Sequence, residues 1–114
     1  MREWSQALNS DDNQAAGRLF APGARVIQGG AVYELETEGE AVRFNRSLPC
    51  SGRVVDVAVE GEDAVTATFE LGHRGRSRCD VPPGTLAAAR FTVDAGQIVT
   101  WEQVPVPGSD NPET

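Results

Sequence analysis

The stretch LAAARFTVDAGQIVTWEQV, residues 86–104, decides the kind of fold. Two runs rich in β-branched and aromatic residues, Leu86 to Asp94 and Gln97 to Val104, flank Ala95-Gly96, a two-residue link of the sort that closes an antiparallel hairpin. With Asp94 opposite Gln97, strict alternation pairs Val93 with Ile98, Phe91 with Thr100 and Ala89 with Glu102 on one face. That face is apolar except at Thr100 and Glu102. The other face pairs Thr92 with Val99 and sets Arg90 over Trp101, a cation–π geometry.

Upstream, Arg53 to Val59 and Ala64 to Leu71 form a second hairpin around Gly61-Glu62. Its register pairs Ala58 with Val65, Asp56 with Ala67 and Val54 with Phe69, which turns Asp56 inward. A one-residue bulge would turn it out to water instead. The opposite face carries Val55, Val57 and Val59 beside Thr66, Thr68 and Glu70. A surface that apolar suggests a homodimer formed through the outer sheet face.

Nearer the start, Trp4, Ala7 and Leu8 recur at helical spacing over about residues 2–9. Ser10-Asp11-Asp12 then caps a second helix, with Ala15, Ala16, Leu19 and Phe20 on its apolar stripe and Ala21-Pro22-Gly23 ending it. Short β-like runs at residues 25–28 and 32–36 surround Gly29-Gly30. Thr37 and Glu40 form a capping box for a third helix carrying Ala41, Phe44 and Leu48, which Pro49 stops. The pattern predicts one α+β domain over residues 1–104, with a curved, mostly antiparallel sheet wrapped around three N-terminal helices. Residues 105–114, with three prolines and no apolar pattern, read as a loose tail.

The chain has 114 residues, enough for one core, with ten basic and 17 acidic residues for a net charge of −7. Phosphate backbones and anionic lipid surfaces are repelled, so neither nucleic acid nor a membrane is an expected partner. All ten basic residues are arginine, which excludes Schiff-base chemistry through lysine. No apolar run is long enough to span a bilayer and the opening residues do not begin a signal peptide, so the expected location is cytoplasmic.

Cys50 and Cys79 have neither CxxC spacing nor enough histidine nearby for zinc, so no metal site is expected. In the register above, Cys50 lies near residue 73, where the loop bearing Cys79 departs. A disulfide there would close a loop of about 30 residues and contribute ~3 kcal/mol in the chain-entropy model. A cytoplasmic setting favours free thiols instead.

Three residues are candidates for catalysis. Glu102 is the first, because an inward carboxylate in an apolar interior is desolvated toward the range useful to a general acid or base. At the strand end it could equally reach solvent or an arginine. Asp56 is the second, subject to the bulge. His73, the single histidine, could act as a base at a cavity mouth, although His73-Arg74-Gly75-Arg76-Ser77-Arg78 also reads as a solvated loop. The three arginines of that segment could clamp an acidic group of a ligand.

The element order, with Ala7-Leu8-Asn9-Ser10-Asp11-Asp12, Leu19-Phe20-Ala21-Pro22-Gly23-Ala24, Phe91-Thr92-Val93-Asp94 and Gly96-Gln97-Ile98-Val99, resembles the nuclear transport factor 2-like superfamily and its SnoaL-like branch. The resemblance covers nearly the whole chain to Val104. It implies a cone-shaped α+β barrel, a cavity between helices and sheet, and frequent dimerisation. It also implies where relatives keep their catalytic groups. The tyrosine, base aspartate and oxyanion-hole aspartate of ketosteroid isomerases fall at Trp4, Gln28 and Ala89. The Arg, Asp and last-strand Asp of limonene epoxide hydrolases fall at Phe69, Leu71 and near Gln103. Neither set survives in this sequence.

Trp4, Gln28, Tyr33, Phe44, Phe69, Phe91 and Thr100 are the candidate wall residues of the implied cavity, although aromatic residues at such spacing also serve simply as core. Three functions follow, and none calls for a cofactor. The chain is an acid–base enzyme of isomerase, cyclase, dehydratase or epoxide hydrolase type acting on a small, largely apolar metabolite, a binding module without chemistry, or an interaction domain.

Overall fold

The computed structural model describes residues 2–108, so most of the expected tail, residues 109–114, lies outside the described residues. The elements run in chain order as α1 (Arg2–Asn9), α2 (Asn13–Arg18), β1 (Phe20–Gln28), β2 (Ala31–Leu35), α3 (Glu38–Ser47), β3 (Cys50–Val59), β4 (Ala64–His73), β5 (Leu86–Asp94) and β6 (Gln97–Val104). The six strands form one curved sheet in the order β2-β1-β6-β5-β4-β3, antiparallel except where β1 lies parallel to β6. The sheet is open, with β2 and β3 at its edges, so the cone is not a closed barrel.

Local signals account for the helices. Asp12 caps α2 by accepting from the Ala15 N–H at 3.1 Å, and Thr37 and Glu40 make the reciprocal capping box of α3. Within the Asn9-Ser10-Asp11-Asp12 segment each polar residue has its own task. Asn9 brackets Gly52 of β3, donating from Nδ2 to its carbonyl at 3.0 Å and accepting its N–H at 2.8 Å. The Ser5 hydroxyl donates to the same carbonyl, so α1 is pinned to the sheet edge. A Cβ at position 52 would lie 3.1 Å from the Phe69 ring, so a larger residue there would require that ring to shift by a few tenths of an ångström. Likewise a Cβ on Gly17 would meet Val42 at 2.8 Å, which is how α2 and α3 pack so closely.

The second helix ends earlier than its apolar stripe suggests. Phe20 is already strand, and Ala21-Pro22-Gly23 lies in an irregular start to β1, where the register against β6 shifts between Phe20 and Arg25. Proline is tolerated there because β1 begins pairing with β2 only at Ala24.

Two β-bulges change the faces that the sequence register predicts. In β6 the pairing runs Asp94–Gln97 and Val93–Ile98, then shifts, so that Thr92 faces Thr100, Phe91 faces Trp101 and Arg90 faces Glu102. Trp101 therefore points inward and Glu102 outward, the reverse of the expectation, and Arg90 pairs with Glu102 at 3.6 Å rather than stacking on Trp101. In β3 the shift falls between Val54 and Asp56, which sets Asp56 opposite Thr68 on the outer face and Val57 opposite Ala67 on the inner one. The expected valine stripe is therefore split: Val57 turns inward, while Val55 at the bulge and Val59 at the strand end stay exposed and do not line the outer face as a set. That face carries Asp56 and Thr68 with the ion pairs Arg53–Glu70, at 3.1 Å, and Arg90–Glu102.

Six of the seven aromatic residues meet in the core. Trp4 packs edge-on to Phe69 and Phe91, with ring centroids 5.7 and 5.4 Å away, and Phe44 joins Phe20 to Trp101. Tyr33 is the exception, 55% exposed on the edge strand β2.

Candidate functional site

Between α1, the end of α3 and the inner face of the sheet lies a cavity of about 280 Å³, close to the lower end of the range typical for small-molecule sites. Trp4 and Leu8 reach it from α1, Leu48 and Pro49 from the end of α3, and Phe69, Leu71, Ala87, Ala89 and Trp101 from the sheet. Polar groups are few. Gln28 and Gln103 line it from β1 and β6, Ser51 from β3, and Asp80 from the loop before β5.

The loop is held at the cavity mouth from both sides. Cys50 and Cys79 are joined in a disulfide, with Cα atoms 4.3 Å apart, so the bonded alternative of the two cysteine readings is the one found. His73 does not enter the cavity. It is exposed opposite Cys50 at the end of β4, and its Nδ1 accepts the Cys79 N–H at 2.9 Å. This bond fixes the loop that brings Asp80 and Val81 to the cavity. Among the described residues, the one cluster with metal-ligand potential is Cys50, Cys79 and Asp80, but disulfide sulfurs offer no thiolate.

Arg74 does not clamp a ligand either. It is buried, and its Nη1 donates to the carbonyls of Asn45 and Leu48 at the end of α3, at 2.8 and 2.7 Å, while Nη2 donates to Asn13 Oδ1. Its Nε lies 3.0 Å from Asp11 Oδ1. That contact is off the line needed for a hydrogen bond, so its attraction is chiefly that of opposite charges.

Of the candidate catalytic residues, none lines the cavity. Glu102 and Asp56 lie on the outer face and His73 outside the mouth. Of the candidate wall residues, Trp4, Gln28 and Phe69 line it, while Phe44 and Phe91 belong to the aromatic core behind it. Tyr33 is exposed, and Thr100 faces outward opposite Thr92. The strand register misses Trp101 and the loop residue Asp80. A spacing signal for the first exists, since Ile98 and Trp101 can both face the core only if one extra residue is bulged between them.

Five positions at which the resemblance puts the catalytic groups of relatives line this one cavity and hold Trp4, Gln28, Ala89, Phe69 and Leu71, and Gln103, near the sixth, lines it too. The single carboxylate in the wall is Asp80, exposed at the rim, and no Lys, Arg, His or Glu lines it among the described residues.

No protein-family model matches the sequence, and no curated protein matches it. Solved structures do match. A candidate polyketide cyclase from Sinorhizobium meliloti superposes with a TM-score of 0.70 at 20% identity, covering 90% of each chain. A nuclear transport factor 2-like protein of unknown function from Cytophaga hutchinsonii gives 0.69 at 14% identity, over 93% of this chain and 86% of that one. A protein with a ketosteroid isomerase-like fold from Catenulispora acidiphila gives 0.69 at 15% identity, over 95% and 85%. This chain therefore has the nuclear transport factor 2-like fold.

Proposed function

We propose that this protein binds a small, predominantly apolar molecule between its helices and the inner face of its sheet, without proton-transfer chemistry by an interior residue. One observation carries the reading: the cavity is lined by the positions at or beside which the resemblance puts the catalytic groups of relatives, and none of Trp4, Gln28, Phe69, Leu71, Ala89 and Gln103 is an acid, a base or a charge. The one carboxylate in the wall that an isomerase, cyclase, dehydratase or hydrolase mechanism could use is Asp80, which is exposed at the rim rather than set against the apolar interior.

Filling the cavity tests this reading. Ala87 points inward opposite Phe69 and is only half-buried, so Ala87→Leu should occupy ligand space without straining the core. The variant is expected to keep its melting temperature within a few degrees and to bind 2-acetylnaphthalene at least about tenfold more weakly by calorimetry, a difference of ~1.4 kcal/mol. Unchanged affinity would remove the cavity from consideration.

No described helix is long and apolar enough to cross a membrane. The Cys50–Cys79 bond weighs toward an oxidising compartment rather than the cytoplasm expected from the sequence. Homodimerisation through the outer sheet face stands as a separate proposal, now centred on Arg90 and Glu102 instead of the valines. Arg90→Glu would set two carboxylates side by side there, so a dimer through this face should sediment as monomer. A dimer that survives the change uses another surface.

A further inference from the structure

We infer that the ligand is a cationic amphiphile, with an apolar body seated in the cavity and an ammonium group left at its mouth beside Asp80. This rests on the cavity being a ligand site and specifies the charge of what enters it.

The cavity wall carries charge of one sign only. Asp80 is its single charged residue, and the remainder is apolar apart from two amides, a hydroxyl and backbone. The basic residues of the same loop are placed elsewhere. Arg74 is buried against Asp11, Asn13 and the end of α3, while His73, Arg76 and Arg78 are exposed and line no part of the cavity. Nor does any of them neutralise Asp80. The ion pairs among the described residues are Arg53–Glu70, Arg74–Asp11 and Arg90–Glu102, which leaves the carboxylate at the mouth without a cationic partner.

Asp80 is carried on an anchored segment. It follows Cys79, whose sulfur is bonded to Cys50 and whose N–H is accepted by His73. Its Oδ1 lies 3.5 Å from Cys50 Sγ, which bears no proton in the disulfide and so leaves that oxygen free to accept from a ligand. Because Asp80 is exposed, an ammonium group can approach it while keeping most of its own water, which avoids the cost of burying a charge. Further in, Trp4, Phe69 and Trp101 offer aromatic surface to an apolar body. At longer range the chain's charge of −7 concentrates cations around the protein and depletes anions. Both ranges therefore select an amine over a carboxylate.

Three probes with one body test the inference by calorimetry: 2-(aminomethyl)naphthalene as its ammonium ion, the neutral isostere 2-ethylnaphthalene, and 2-naphthoate. The ammonium probe is expected to bind at least about tenfold tighter than the carboxylate. Asp80→Asn should weaken the ammonium probe about threefold to fivefold, the reach of one solvent-exposed charge pair, and leave the ethyl probe unchanged. Raising sodium chloride from about 20 to about 500 mM should lower the ammonium probe's affinity and spare the ethyl probe's. This salt series uses the unmodified protein, so it reads the charge effect even if the substitution disturbs the loop. Ammonium binding that ignores both Asp80→Asn and salt, or carboxylate binding as tight as ammonium binding, overturns the cationic ligand and leaves the cavity reading intact. Failure of all three probes to bind overturns both.

Discussion

Arg74→Met is expected to lower the unfolding free energy by about 3–5 kcal/mol, the loss typical when one partner of a buried ion pair is removed. Arg74 is the point where four segments meet. Its side chain is 2% exposed and joins the Asp11 turn, the start of α2 at Asn13 and the last carbonyls of α3 at Asn45 and Leu48. The Asn45 carbonyl already accepts the Leu48 N–H at 3.3 Å, and the guanidinium adds a second donor there, satisfies the Leu48 carbonyl and complements the negative end of the helix dipole. Methionine replaces the volume but none of the donors, so the Leu48 carbonyl, the Asn13 amide oxygen and the Asp11 carboxylate lose the contact that Arg74 supplies. Asp11 is 18% exposed at its side chain, so removing its charge as well should return part of the loss. Urea denaturation of Arg74→Met and of the Arg74→Met/Asp11→Asn pair measures both effects. A loss under ~1 kcal/mol for the single variant would mean that the site rearranges around water and the hub is not structural.

Cys50→Ala/Cys79→Ala is expected to cost roughly 3–4 kcal/mol, the chain-entropy value for opening a loop whose ends are 29 residues apart. At about 4 °C per kcal/mol for a chain of this size, the melting temperature should fall by on the order of 15 °C. The loss should be felt at the cavity too. The bond holds the loop whose next residues, Asp80 and Val81, form part of the wall, while Arg74 anchors the loop's other end independently. The alanine pair should therefore weaken binding of 2-acetylnaphthalene while leaving the helices intact by circular dichroism. Melting within about 3 °C of the unmodified protein would show that the bond ties together segments already held by packing.

The helices and most strand limits were legible because their signals are local. The Thr37–Glu40 capping box, the Asp12 cap, the Gly29-Gly30 and Ala95-Gly96 turns and the limits of β5 and β6 all depend on residues within a few positions of one another. The register of β3 against β4 was right from Cys50 to Val54, which is why the disulfide partners fell close together. Past each bulge, strict alternation puts every side chain on the wrong face. Strand side chains alternate with a period of two, so one extra residue exchanges the faces for the remainder of the strand.

An α+β domain with three helices in its first half, an antiparallel meander after them and an acidic balance can be read from the residues alone, since propensity, capping and alternation act over short spans. Which residues meet the cavity depends instead on long-range packing. Burying Trp101 among Trp4, Phe44 and Phe91 while leaving Glu102 to Arg90 is worth far more than a regular strand that would bury the carboxylate and expose the indole. The same choice sets Val57 inward and Asp56 outward. A bulge costs one unpaired residue, and whether it forms depends on the packing of helices and strands far away in the chain, which no local pattern encodes.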